Sequence, residues 1–232
     1  MRPVTGAQPR YGMPQALARN GGGLVVSENV IMVDAVVWDI GRVLVQWDFP
    51  RIWAKVIPDP AERAVFMSTV VSEAWHYRHD CGESMADMVA QRCAEYPQHR
   101  ALIERYRTHW LLAVPGPVAG THGLIERLAA RGVAQFSITN FGADAFAMFR
   151  PTFPILDHFT DIVVSGEERL VKPDTAIFAL AAERFGRDPA RMLFIDDNPA
   201  NIAAAKALGW QVHWFDGDVA ALEAHLAALG LV

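Results

Sequence analysis

Three clusters of polar residues each follow a short apolar run. Asp39 comes directly after Val36-Val37-Trp38, Thr139 and Asn140 follow Phe136-Ser137-Ile138, and Asp196-Asp197-Asn198 follow Leu193-Phe194-Ile195. Such runs read as buried strands, and in an open parallel sheet ligands bind beyond the carboxyl ends of the strands. Carboxylates from two strands then meet in one crevice, where their repulsion must be relieved by a cation or a proton. Hard oxygen ligands suit Mg²⁺, which keeps several waters and binds through one or two carboxylates plus a substrate phosphate. Lys172, ahead of Pro173-Asp174, supplies the cation that a carboxylate nucleophile and a phosphate need between them. Taken singly, these residues have plainer readings: Asp39 as a turn residue, Asp196 to Asn198 as an N-cap cluster before Pro199, and Lys172 as a surface lysine before a capped helix. Their pairing after separate strands favours a metal-assisted phosphoryl site.

Holding these groups together requires a sheet whose strands end at one edge. Five runs qualify as strands: Ala35 to Trp38, Val133 to Thr139, Ile162 to Val164, Met192 to Ile195, and Gln211 to Trp214. Helical stretches alternate with them. Leu124, Ile125 and Leu128 form one apolar face, and Ile177, Phe178 and Ala181 form another ahead of Gly186. The alanine-rich run from Ala200 ends at Gly209, and Val219, Leu222, His225, Leu226 and Leu229 line a last amphipathic stretch. The expected class is α/β, with a Rossmann-like, mostly parallel sheet.

One interval breaks the alternation. About 90 residues separate the first strand from the second, against the dozen or so of an ordinary crossover. Met85, Met88, Val89 and Cys93 fall at helical spacing, as do Leu102, Ile103, Tyr106 and Trp110. An inserted all-helical subdomain is therefore expected over 50–114, closed by the stiff Pro115-Gly116-Pro117 segment, with the core formed by 32–49 and 115–232. Residues 1–31 carry Arg2, Arg10 and Arg19, a triple glycine and no acid before Glu28. They read as a flexible N-terminal extension, or as sequence ahead of a start at Met32.

Composition narrows the function classes. The 232 residues are 52% hydrophobic and 20% charged, with a formal charge of -5, which argues against disorder and against nucleic acid as a partner. No apolar run approaches the roughly 18 residues that span a bilayer. Leu24-Val25-Val26 is too short for the centre of a signal peptide. Cys81 and Cys93 make neither a disulfide framework nor a clustered zinc site, so a cytoplasmic setting is expected.

In order along the chain, Val37-Trp38-Asp39-Ile40-Gly41-Arg42-Val43-Leu44, Ser137-Ile138-Thr139-Asn140, Lys172-Pro173-Asp174, and Phe194-Ile195-Asp196-Asp197-Asn198 with Asn201, Ala204 and Gly209 resemble the four motifs of the haloacid dehalogenase-like hydrolase superfamily. The resemblance covers Met32 to about Asp216, and the insert is similar to that superfamily's cap domain. It implies a Mg²⁺-dependent phosphatase acting on a small phosphorylated metabolite, for example a sugar phosphate. Asp39 would be the nucleophile that forms an aspartyl-phosphate, as well as a metal ligand. Thr139 and the backbone N–H of Asn140 would hold the phosphoryl oxygens, and Lys172 would neutralise charge on Asp39 and the phosphate. Counting back four from Asn201 makes Asp197 the side-chain metal ligand, with the Gly41 carbonyl as another. Asp196 would stand beside them, orienting Lys172 or a bound water.

One position departs from that pattern. Phosphatases of the superfamily carry a second aspartate two residues after the nucleophile as general acid and base, and here Gly41 stands there. Glycine transfers no proton, and losing such a group typically lowers rates by about 10²- to 10⁴-fold. First motifs of the form Asp-x-Gly also occur in a subset of the superfamily that includes sugar-phosphate phosphatases. Asp48, or an acid delivered by the cap, could substitute. Arg42 could meet a substrate anion or face solvent, and Trp75 and His79, in the polar and aromatic stretch from Trp75 to Gly82 just ahead of a helix, are the candidate cap contacts to substrate, the plainer reading being an interhelical turn with Trp75 packing inward. The rivals are a metal-independent 2-haloacid dehalogenase, which lacks the metal-binding acid of the fourth motif, a phosphomutase, and a protein that binds phosphate or a partner with little turnover.

Overall fold

The computed structural model describes residues 32–232, and the extension read over 1–31 lies outside the described residues. Five parallel strands, β1 (Ala35–Trp38), β2 (Ala134–Thr139), β3 (Asp161–Val164), β4 (Met192–Asp196) and β5 (Gln211–Trp214), form one sheet in the order β3-β2-β1-β4-β5. The first three strands build outward on one side of β1, and β4 then returns to its other side. That reversal opens a crevice at the carboxyl ends of β1 and β4, where a doubly wound sheet places its ligands.

Alternation along each strand sends successive side chains to opposite faces. Val36, Trp38, Leu193 and Ile195 join one apolar cluster, while Ala35, Val37, Met192 and Phe194 join the other. Both faces are covered, which is why the strands are nearly continuous apolar runs.

Five α-helices stand between β1 and β2, and the first four of them form the insert: α1 (Pro60–Thr69), α2 (Glu73–Asp80), α3 (Met85–Glu95) and α4 (Arg100–Thr108). Asp59, Ser72 and Ser84 cap the first three through their side chains, each starting its helix by accepting an orphan backbone N–H. The α1–α4 segment, here the cap, leaves and rejoins the rest through two strips lying side by side: Asp48 N–H donates to the Ala113 carbonyl at 2.8 Å, and Gln46 N–H to that of Gly116 at 2.9 Å. Trp53, Trp75 and Tyr106 are buried among the cap helices, in the same continuous cluster as Trp38 and Ile195. Six further helices complete the fold: α5 (Thr121–Ala130), α6 (Ala143–Phe149), α7 (Ser165–Glu168), α8 (Thr175–Phe185), α9 (Pro199–Ala207) and α10 (Val219–Ala228). No helix among the described residues is long and apolar enough to cross a membrane.

The end of α2 docks on the segments that follow β2 and β3. Ser165 Oγ donates to the Asp80 carbonyl at 2.7 Å, and Met85 N–H donates to Asp144 Oδ2 at 2.7 Å. Gly82, at φ 95°, turns the chain where a side chain would meet the Gly166 carbonyl. The His79 imidazole lies directly on Gly142, in the space a Cβ would need. Gly142→Ala should therefore cost about 1–3 kcal/mol of stability, as overpacked sites do. A urea melt checks this, since a loss below about 0.5 kcal/mol would mean that the docking is slack.

Candidate active site

The crevice beyond β1 and β4 opens into a cavity of about 620 Å³, walled by the sheet edge below and the cap above. At its floor the Lys172 ammonium is buried between two carboxylates, 2.9 Å from Asp39 Oδ1 and 2.7 Å from Asp196 Oδ2, and it also donates to the Ile138 carbonyl at 2.8 Å. Asn140 sets the lysine in place. Its side chain clamps the Lys172 backbone, receiving the N–H at 2.8 Å and donating to the carbonyl at 2.9 Å.

The two aspartates are held differently. Asp39 Oδ1 also accepts the Ile40 N–H at 2.7 Å, and Oδ2 has no hydrogen-bond donor among the described residues. Asp196 is saturated: Oδ1 accepts from the Asn198 N–H and the Asn201 amide, and Oδ2 from that amide and Lys172. Asp197, a quarter exposed, faces Arg42 at 3.8 Å across the mouth. Arg42 lies in a left-handed turn, φ 58°, that carries the chain away from β1.

Oxygens of Asp39, Asp196 and Asp197 all lie within 4.8 Å of one another, against the single buried ammonium. Burial, first, raises the Asp39 carboxyl to about 7, with Lys172 pulling it down and Asp196 and Asp197 pushing it up. Asp197 is raised as well, by burial and then by Asp196. Burial would lower the Lys172 ammonium, but Asp196 and Asp39 outweigh it and raise it. Three carboxylates with one ammonium fit a hard divalent cation, and Asp39 Oδ2 and Asp197 are the donors left free to hold one.

Asp39, Gly41, Arg42, Asn140, Lys172 and Asp197 line the cavity, whereas Thr139 and Asp196 are not among its lining residues. Thr139 lies at the end of β2, its Oγ1 buried and without a partner. Trp75 and His79 are corrections. The stretch that the sequence reading places just ahead of a helix is itself α2, and helical spacing divides it into two faces. Trp75 and His79 face the cap interior and the docking surface, at 2% and 1% exposure, while Glu73, His76, Tyr77 and Asp80 face the cavity. Positions i, i+3, i+4 and i+7 are one face of a helix, so the cavity-lining set was discoverable once the segment was read as helical. Asp48 is exposed and stands outside the cavity lining.

A family model described as haloacid dehalogenase-like hydrolase matches residues 33–209. The chain is 26% identical over 183 residues to sesquiterpene phosphatase astK of Aspergillus oryzae, a match covering 75% of this chain and 86% of that protein. It is also 25% identical over 100 residues to haloacetate dehalogenase H-2 of a Moraxella species, covering 43% of this chain and 45% of that one. A solved HAD family enzyme of Bacteroides thetaiotaomicron, in complex with magnesium and inorganic phosphate, superposes with a TM-score of 0.63 at 19% identity, covering 78% of this chain and 93% of that one. L-2-haloacid dehalogenase of Xanthobacter autotrophicus shares the fold at a TM-score of 0.53 and 17% identity, over 78% and 76% of the two chains.

A carboxyl raised in the fold binds its proton more tightly folded than unfolded. For Asp39, stability therefore falls as pH climbs from the ordinary carboxylate value towards about 7, and a bound cation reverses the loss. Mg²⁺ should raise the Tm more at about pH 8 than at about pH 5, and Asp39→Asn should raise the metal-free Tm at the higher pH. Thermal melts with Mg²⁺ or with EDTA check both, and equal Mg²⁺ increments at the two pH values would contradict the account.

Proposed function

The chain belongs to the haloacid dehalogenase-like hydrolase family, and from that premise we propose that it is a Mg²⁺-dependent hydrolase of small phosphate monoesters, working through an aspartyl-phosphate on Asp39. The observation that carries this reading is Asp197. Lys172 already balances one carboxylate, and a third acid at the cavity mouth suits a site that holds a divalent cation. A metal-independent dehalogenase has no use for it.

Each residue takes a part that follows from its contacts. Asp39 Oδ2, which accepts no hydrogen bond, attacks phosphorus. Lys172 holds the other Asp39 oxygen and offsets charge as the phosphoryl group arrives. The Thr139 hydroxyl, buried without a partner, donates to a phosphoryl oxygen, a bond that would satisfy it. Asp39, Asp197 and the Gly41 carbonyl would hold Mg²⁺, which draws charge off the phosphoryl oxygens when bound. Asp196 accepts from Asn198, Asn201 and Lys172, and its part is to fix Lys172. Asn140 acts through its clamp on Lys172, its side chain being fully engaged there.

The substrate's organic part lies against Trp47, Trp110 and Phe141, which give the cavity an aromatic wall. That surface suits an apolar or flat-faced group. The likeness to a sesquiterpene phosphatase supports the same choice of chemistry.

Release of phosphate from an aryl phosphate should require Mg²⁺, vanish in Asp39→Asn, and fall by about 10³-fold in Lys172→Met. Asp197→Asn should keep activity only at Mg²⁺ concentrations at least about tenfold higher. Hydrolysis of a 2-haloacid persisting in excess chelator would instead identify a dehalogenase.

A further inference from the structure

Gly41 leaves the proposed phosphatase without a proton donor on the loop after β1. The space there is open, since nothing lies within 4 Å of where a Cβ would stand. The acids lining the cavity are Asp39, Asp197, Glu73 and Asp80. The first two are taken up by the nucleophile and the cation, and Glu73 is exposed at the opposite end of α2 from Asp80.

Asp80 is different in kind. Its side chain is 13% exposed, and its one ion-pair neighbour among the described residues is His76, with Nε2 at 3.9 Å. That imidazole is lowered to about 3 by burial and by His79, so it brings no charge. The Asp80 backbone is pinned where the cap meets the core: Ser165 Oγ donates to its carbonyl, and the same hydroxyl accepts the N–H of Phe141, next to Asn140. The carboxyl is thus presented to the cavity from a fixed point. Burial, first, raises it to about 7, with a backbone hydrogen bond from Gly142 opposing and the Asp39 charge adding, so it still carries a proton near neutrality.

We infer that Asp80, delivered by the cap, is the general acid and base that the glycine at position 41 does not supply. This rests on the phosphatase reading. Asp39 Oδ2 attacks phosphorus, the P–O bond to the organic group breaks with its electron pair going to the leaving oxygen, and that oxygen takes the Asp80 proton. Water then attacks the aspartyl-phosphate and gives a proton to the Asp80 carboxylate. The P–O bond to Asp39 breaks, restoring both side chains and releasing inorganic phosphate.

The test compares phenyl phosphate, a poor leaving group, with p-nitrophenyl phosphate, a good one, in the presence of Mg²⁺. In Asp80→Asn, turnover of phenyl phosphate should fall by about 10²- to 10⁴-fold. The first p-nitrophenolate should still be released within about tenfold of the wild-type rate, as a burst before slow turnover, because that leaving group needs no proton while water still needs a base. Gly41→Asp added to Asp80→Asn should recover at least about tenfold of the phenyl phosphate turnover, which a merely structural role for Asp80 would not allow. Should Asp80→Asn fail to fold, Asp80→Ser carries the same comparison. Turnover of both esters within about threefold of wild type, or an equal loss on both in the first turnover, overturns the assignment of Asp80 while leaving the phosphatase reading intact. A wild-type protein inert toward both esters overturns the two together.

Discussion

Everything at the site hangs on one buried ammonium. Removing a lysine from water costs several kcal/mol unless its charge is met inside, and Lys172 is met by Asp39, Asp196 and the Ile138 carbonyl. Those three partners come from the ends of β1, β4 and β2. The ion cluster therefore ties together the strand ends at which the sheet reverses direction. The arrangement is not neutral, because two buried carboxylates and a nearby third face one cation. Burial raises the Asp39 carboxyl, and the neighbouring Asp196 and Asp197 add to that rise against the pull of Lys172.

The polar residues around the cluster serve its geometry more than its charge. Asn140 clamps the backbone on both sides of the Lys172 amide, and Asn201 bridges both oxygens of Asp196. With its lone pairs filled, Asp196 behaves as part of the scaffold although it shares its burial and chemistry with Asp39. Of two adjacent aspartates, the one free to meet a ligand is the one whose oxygens are not already filled with hydrogen bonds, and Asp197 is the one left facing the cavity mouth.

Much of this was legible in the sequence, for physical reasons. The strands of a sheet covered on both faces are short apolar runs, so all five stood out, and the polar residues that end them marked the crevice. The cap was harder to read. Along α2, the residues Glu73-Ala74-Trp75-His76-Tyr77-Arg78-His79-Asp80 carry no strong apolar stripe, because one side packs Trp75 into the cap while the other faces a polar cavity. A helix polar toward a site and aromatic toward its interior looks like a loop in sequence. Such a stretch offers Trp75 and His79 as contacts to substrate, whereas the helix turns both inward and sends Glu73, His76, Tyr77 and Asp80 to the cavity. The docking of His79 on Gly142 was invisible for another reason: it joins residues 63 apart, and glycine advertises nothing about what fills the space beside it.

Placing the proton donor on the cap changes what the cap does. An acid on the loop after β1 would belong to the same rigid edge as the nucleophile, and chemistry would be possible whatever the cap's position. Asp80 is held at the cavity by the docking of α2, through the Ser165 hydroxyl, the Gly82 turn and the contact of His79 with Gly142. On the proposed reading proton transfer depends on that docking, while Trp47, Trp110 and Phe141 line the same cavity from outside α2. Gly41 then leaves open space at the sheet edge, and the proposed acid stands on the opposite wall.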